Sequence, residues 1–284
     1  MNISAPLISF LKNMCIKEGT VFTNNPKPRD YVYLLTEITI HCIFIIYTVY
    51  ILLGVAMSPR PRQSERLTDL QNTIKSTAWK QIAASGAPTL SLRSIARELG
   101  ITAPAIYNYF PNRDELVTAL IVDAFNSLAD SQEGVITSLP LDDLSQRLST
   151  LGLAYRQWAV SNPQRYLLIF GTPIPNYHAP DALTLPAATR ALVPLIGVIQ
   201  DLFTAQRLRI DKIAPLAPKL ESMLKVWQES AVGAHPEVLY LALIIWSRVH
   251  GLVMLEIGNH IPPMINDPAE VFRREIQTIL IQYL

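Results

Sequence analysis

The sequence predicts an all-α fold: a three-helix unit built round a helix-turn-helix, then a larger helical bundle, with an apolar segment ahead of both. Three observations carry this reading. Apolar residues recur at three- and four-residue spacing through most of the chain after residue 66, the period of helices with one buried face. Gly, Asn-Pro and Asp-Pro punctuate these runs where helices should stop and start. Between Leu92 and Phe110 two short apolar runs flank a tight turn at Gly100, the layout of a helix-turn-helix. At 284 residues the chain holds one large or two modest domains with ample core.

Residues 1–57 read as an amino-terminal extension. Cys15 and Cys42 lie here and no cysteine follows, so neither a disulfide framework nor a zinc site is indicated. Ile38 to Met57 is a run of twenty residues without a formal charge. As a helix it would span about 30 Å, the hydrocarbon thickness of a bilayer. Basic residues flank it on both sides (Lys27 and Arg29 before, Arg60, Arg62 and Arg66 after), which favours the Arg side as cytoplasmic only slightly. A small-residue cleavage site and an adjoining basic region are missing, so it is not a cleavable signal. A single-span anchor and a buried apolar helix both fit the run.

The DNA-binding unit is predicted over residues 58–120. SPRPRQSER, from Ser58 to Arg66, is a Pro-broken basic arm, a solvated linker or a reach toward phosphates by Arg60 or Arg62. Leu67, Leu70, Ile74, Ala78 and Ile82 mark an amphipathic first helix ended by Gly86 and Pro88. Lys75 and Lys80 on it read as surface charges. Leu92, Ile95, Ala96 and Leu99 give the second helix its apolar face, Gly100 breaks it, and Ile101 anchors the turn. Thr102 caps a short third helix running through Tyr109, with Pro104 tolerated in its first turn. Ile106 and Phe110 face inward together. Tyr107, Asn108 and Tyr109 are left outside, where hydroxyls and an amide suit phosphates and base edges. Asn112-Arg113-Asp114-Glu115 is a capping box opening the next helix.

The stretch IARELGITAPAIYNYFPNRDEL resembles the DNA-binding signature of the tetracycline-repressor (TetR) family. The resemblance implies that Tyr107 contacts a phosphate and that Arg113, in the place of a basic residue, also meets the backbone. Arg93 falls where the tetracycline repressor uses an Arg to read a guanine. Thr102, Ala103 and Ala105 would line the groove-facing start of the recognition helix. MSPRPRQSERLTDL also looks like a TetR-type amino terminus. This adds a third, favoured reading of residues 1–56: a start assigned upstream of Met57.

Residues 121–284 are predicted to be a helical ligand-binding and dimerisation domain. One helix should leave the first unit at Arg113 and end near Leu128. In the family this helix is the mechanical link between domains. Further helices are expected at Asp143–Ser161, Gln164–Phe170, 187 to about 208, and 220–229, with a Pro-rich loop over 171–186. Pro236 to Ile257 is apolar nearly all round and should be buried on both sides. Asp267-Pro268-Ala269-Glu270 caps a last apolar helix. Two such helices suit a four-helix interface between two copies. Within them, Trp246-Ser247-Arg248-Val249-His250-Gly251 resembles the Trp-x-x-x-His-Gly pattern of the WHG-type carboxy-terminal domain of one TetR subgroup. Trp246 and His250 share a helix face. They fit either packing with one internal imidazole hydrogen bond or a ligand contact.

Charge distribution agrees with this division. Residues 57–120 carry eight basic and five acidic groups; residues 121–284 carry twelve and fifteen. The positive surplus is local to the helix-turn-helix, as phosphate binding requires. Catalysis finds no support. The five histidines form no metal pair, and no phosphate loop, nucleophile elbow or Cys-His pair is present. No cofactor is expected. The sequence therefore predicts a transcriptional regulator, a repressor, that binds a palindromic double-stranded DNA operator as a homodimer through its two carboxy-terminal helices. A small-molecule effector would release it, with Trp158, Tyr166, Phe170, Trp246 and His250 as pocket candidates. The expected location is the cytoplasm. The alternative is a regulator tethered to the membrane through residues 38–57.

Overall fold

A computed structural model describes residues 63–230 and 233–284, with side chains for residues 69–228 and 233–284. The readings of residues 1–57 and of the basic arm lie outside the described residues. From Leu67 onward the chain packs as one compact unit. Its elements are all helical among the described residues. They are α1 (Gln63–Ser85), α2 (Leu92–Glu98), α3 (Ala103–Tyr107), α4 (Arg113–Thr137), α5 (Leu144–Ser161), α6 (Pro163–Phe170), α7 (Asp181–Thr204), α8 (Pro218–Ser230), α9 (Pro236–Ile257) and α10 (Pro268–Tyr283).

Two hydrophobic cores organise the unit. The smaller joins Ile74, Ala78 and Ile82 of α1 to Ile95 of α2, Ile106 of α3, Phe110, and Leu116 and Leu120 of α4. The larger gathers α5, α7, α9 and α10 round the second half of α4. Phe125 of α4 and Ile169 of α6 pack against both. The long helix α4 is therefore shared. It runs nine residues beyond its expected end because Ala129 and Gln132 continue the buried spacing set by Ala124 and Leu128.

Cap chemistry fixes the helix starts. Asn112 accepts from the Glu115 amide at 2.9 Å, and Asp143 from the Gln146 amide at 3.0 Å. Asp267 Oδ1 accepts from the amides of Ala269 and Glu270, with Pro268 at the first helical position.

Three expectations are corrected. The Pro-rich loop stops at Pro180, and α7 passes through both Pro186 and Pro194. Pro186 is only in its second turn, where the missing N–H costs one hydrogen bond that the buried face repays. Helix α9 is not enclosed on both sides within one chain, since Leu243 and Leu255 are exposed. Lys75 is no free surface charge: its Nζ lies 2.8 Å from Asp123 Oδ2, tying α1 to α4.

Among the described residues two helices, α7 and α9, are long and apolar enough to cross a bilayer by length and composition. Both are core helices here. Ile196, Val198, Ile199 and Leu202 of α7 are buried against Val238, Leu239, Ile245, Val249 and Val253 of α9 and their neighbours in one cluster.

Candidate functional site: the helix-turn-helix surface and an apolar cavity

The turn between α2 and α3 is set by hydrogen bonds of the backbone. Ser91 caps α2 by accepting from the Ser94 amide. At its other end the Ile101 amide donates to the Ala96 carbonyl at 3.0 Å, and the Gly100 amide to Arg97 at 3.3 Å. That pair is a Schellman closure, with Gly100 in the left-handed region at φ 65°. Thr102 Oγ1 then accepts from the Ala105 amide at 3.4 Å and starts α3.

These constraints set the rotation of α3. Ile106 is 0% exposed and Phe110 3%, both sealed into the smaller core. Tyr107 is 39% exposed, and Thr102, Ala103 and Asn108 are exposed beside it, with Ala105 half-buried. Arg93 is exposed on α2. Tyr109 departs from the expectation of a fully outward side chain. It is half-buried and packs against the smaller core, because it sits two residues past the helix end, where the backbone turns toward α4. Arg113 has partners within the protein. Its Nη2 donates to the carbonyls of Ala87 and Pro88, each at 3.3 Å, and Nη1 lies 3.6 Å from Asp114. In the free protein this guanidinium latches the start of α4 to the turn after α1.

The second site is a cavity of about 250 Å³ in the larger core, bounded by α4, α5, α6, α7, α9 and α10. Its wall is almost wholly apolar, including Leu128, Leu151, Leu195, Val249 and Ile276. Gly152 lets α10 approach: a Cβ there would meet the Ile276 side chain.

Of the five residues expected at a pocket, Phe170 and Trp246 line the cavity. Tyr166 and His250 stand behind the wall, reached through Tyr155. The Tyr155 hydroxyl lies 3.0 Å from His250 Nδ1 and 3.3 Å from the Tyr166 hydroxyl, which is itself 2.8 Å from the same Nδ1. Burial pushes the Tyr155 hydroxyl up to about 12, raises Tyr166 as well, and lowers His250. The three groups thus form a neutral hydrogen-bonded cluster at pH 7. Trp158 does not reach the cavity wall. It is buried in the core with Nε1 donating to Ser127 Oγ at 3.0 Å.

Sequence reasoning missed Tyr155 and Gln132, which with Trp246 are the polar members of the wall. Tyr155 is one turn before Trp158 on the same apolar face, so the signal was present. Gln132 was missed because α4 was expected to end before it. Its Nε2 donates to the Ala191 carbonyl at 2.8 Å while the side chain is buried.

A three-helix unit with a helix-turn-helix, joined by one long helix to a second helical bundle, defines the class of helix-turn-helix DNA-binding regulators. Comparison with known proteins gives the particular family. The model described as bacterial regulatory proteins, tetR family, matches residues 74–120, and the one described as tetracyclin repressor-like, C-terminal domain, matches residues 148–279. The HTH-type transcriptional regulator Rv1816 of Mycobacterium tuberculosis is 36% identical over 204 residues, 71% of this chain and 86% of that protein. The regulator Mb1846 of Mycobacterium bovis matches to the same extent. Among solved structures, the regulatory protein SCO4313 is 35% identical with a TM-score of 0.64, over 77% of this chain and 98% of that one. FadR from Bacillus subtilis shares the fold at a TM-score of 0.54 and 12% identity, over 74% of this chain and 97% of that one. The chain belongs to the TetR family and is a DNA-binding transcriptional regulator.

Proposed function

We propose that two copies of this chain, in the cytoplasm, join through α9 and α10 and repress transcription from a palindromic operator. One observation carries the reading: Tyr107 and Asn108 are exposed on a helix whose opposite side is locked by Ile106 and Phe110. Residues 58–120 form the DNA-binding domain, and residues 121–284 the effector and dimerisation domain. Tyr107, Asn108 and Thr102 meet phosphates and base edges, Ala103 and Ala105 face the groove, and Arg93 reads a base from α2. Tyr109 contributes its rim, and Arg113 holds the α4 start at the same surface. Leu243 and Leu255 on α9 and Ile281 on α10, all exposed in one chain, supply the apolar surface that a partner copy would cover.

The effector enters the cavity of the larger core, with Phe170, Trp246 and Tyr155 as its contacts and Tyr166 and His250 supporting Tyr155. FadR from Bacillus subtilis has been solved in complex with stearoyl-CoA. Here the route from cavity to DNA is short. Phe170 lines the cavity at the end of α6, and the loop that follows places Ile174 in the DNA-binding core. From the same segment, the Tyr177 hydroxyl pairs with Thr118 Oγ1 at 2.9 Å, and Arg165 stacks over Trp79 of α1 at 4.9 Å. A ligand that displaces Phe170 therefore loads both α1 and α4. Release follows only if the ligand prefers the arrangement that cannot grip the operator.

Selection of bound DNA from a random pool tests the proposal. A two-fold symmetric consensus is expected, and an asymmetric site bound by a single copy would contradict it.

A further inference from the structure

The cavity itself limits what can occupy it. On the scale in which a dry cavity of about 150 Å³ takes up benzene, the 250 Å³ found here accommodates roughly ten heavy atoms. No Lys, Arg or His is among its lining residues, and its polar side chains are Gln132, Tyr155 and Trp246. An ionised carboxylate or phosphate would be buried without a countercharge among the lining residues, at a cost that weakens its binding. A long acyl chain exceeds this volume.

The hydroxyl cluster adds a direction to this chemistry. In its Nε2–H tautomer the neutral imidazole offers one acceptor lone pair at Nδ1, and two tyrosine hydroxyls compete for it. Tyr166, at 2.8 Å, is the closer. Tyr155 is then left with its 3.3 Å contact to the Tyr166 oxygen, a long bond for two hydroxyls. Of the three groups, Tyr155 is also the one on the cavity wall. Its proton is the one an incoming acceptor can recruit at least cost. With burial holding its pKa near 12, this hydroxyl remains a donor across the physiological range.

We infer that the cavity selects compact neutral ligands, apolar over most of their surface, that carry a carbonyl-type acceptor received by the Tyr155 hydroxyl. This rests on the cavity being the ligand site of the proposed regulator, and it names the ligand class that site takes.

Three probes of matched size test it on the full-length protein: acetophenone, isopropylbenzene and benzoate, with binding read by calorimetry or ligand-observed NMR at about millimolar concentration. Both neutral probes should bind, and benzoate should bind at least about tenfold more weakly than acetophenone. Tyr155→Phe keeps the ring and the packing. It should weaken acetophenone about three- to tenfold, the loss of one neutral hydrogen bond, and leave isopropylbenzene within about twofold. A merely structural tyrosine would move both neutral probes together. Equal effects on the two, benzoate binding as tightly as the ketone, or no binding by either neutral probe would each overturn the inference. Operator release is read separately. A probe that binds as described without changing DNA affinity would support this ligand class and overturn the effector role of the cavity.

Discussion

The two cores of this protein solve different problems. Round Ile106 the chain is tightly held: five residues of α3 are fixed by a cap, a left-handed glycine and two inward side chains. Round Tyr155 six helices meet and leave about 250 Å³ unfilled, with a neutral hydroxyl–imidazole cluster at its edge. Rigidity is what a recognition helix needs, because a rotated α3 would present Ile106 to the groove in place of Tyr107. Space is what a ligand-responsive bundle needs, because a fully packed core has nothing left to respond to.

The contrast breaks most sharply on large-to-small changes. Ile106→Ala should cost about 2–5 kcal/mol and abolish operator binding, since it opens a cavity beneath the fully buried side of α3. Chemical denaturation with a parallel DNA-binding assay measures both effects. Small-to-large changes should separate the two cores in sign. Ala96→Leu, in the small core, should destabilise by about 1–3 kcal/mol. Ala191→Leu, whose side chain borders the cavity, should be neutral or stabilising, and should exclude the neutral probes. Equal destabilisation by both would show that the cavity is not available space.

The smallest expected effect is a pH dependence confined to the larger core. Burial holds the folded-state pKa of His250 below its ordinary value, so the unfolded chain takes up the proton first. Stability from this residue is therefore complete above about pH 6.5 and is lost as pH falls through that value toward the lower folded pKa. Thermal unfolding followed downward from neutral pH should show this decline, and His250→Gln should flatten it.

How much of this was legible in the sequence follows the same division. The helix-turn-helix could be read because its determinants are local. Gly100, Thr102 and Asn112 act within three or four residues of themselves, and the Ile106–Phe110 pair fixes the face. The half-burial of Tyr109 and the bonds of Arg113 to Ala87 and Pro88 were not legible, because they depend on α4 and on the turn after α1, the latter some 25 residues away in sequence. The cavity was legible only in part. Phe170 and Trp246 were picked out as aromatics on helices, but that criterion cannot tell a wall from a core, and Trp158 failed it through its bond to Ser127. Nothing local announces Gln132, whose partner is the carbonyl of Ala191 on another helix. Proline misled for a related reason. Pro186 breaks a helix in isolation, yet the buried stripe of α7 carries the helix through it, as it does through Pro194, which lay inside the expected helix.

The central claim is that α3 offers Tyr107 to the DNA backbone while Arg93 on α2 reads a base. Base-resolved binding of Tyr107→Phe and Arg93→Ala against the selected operator and its single-position variants tests it most directly. Tyr107→Phe should weaken every sequence by a similar factor, and Arg93→Ala should erase preference at one position in each half-site. Parental affinity and an unchanged base profile in both variants would contradict the account.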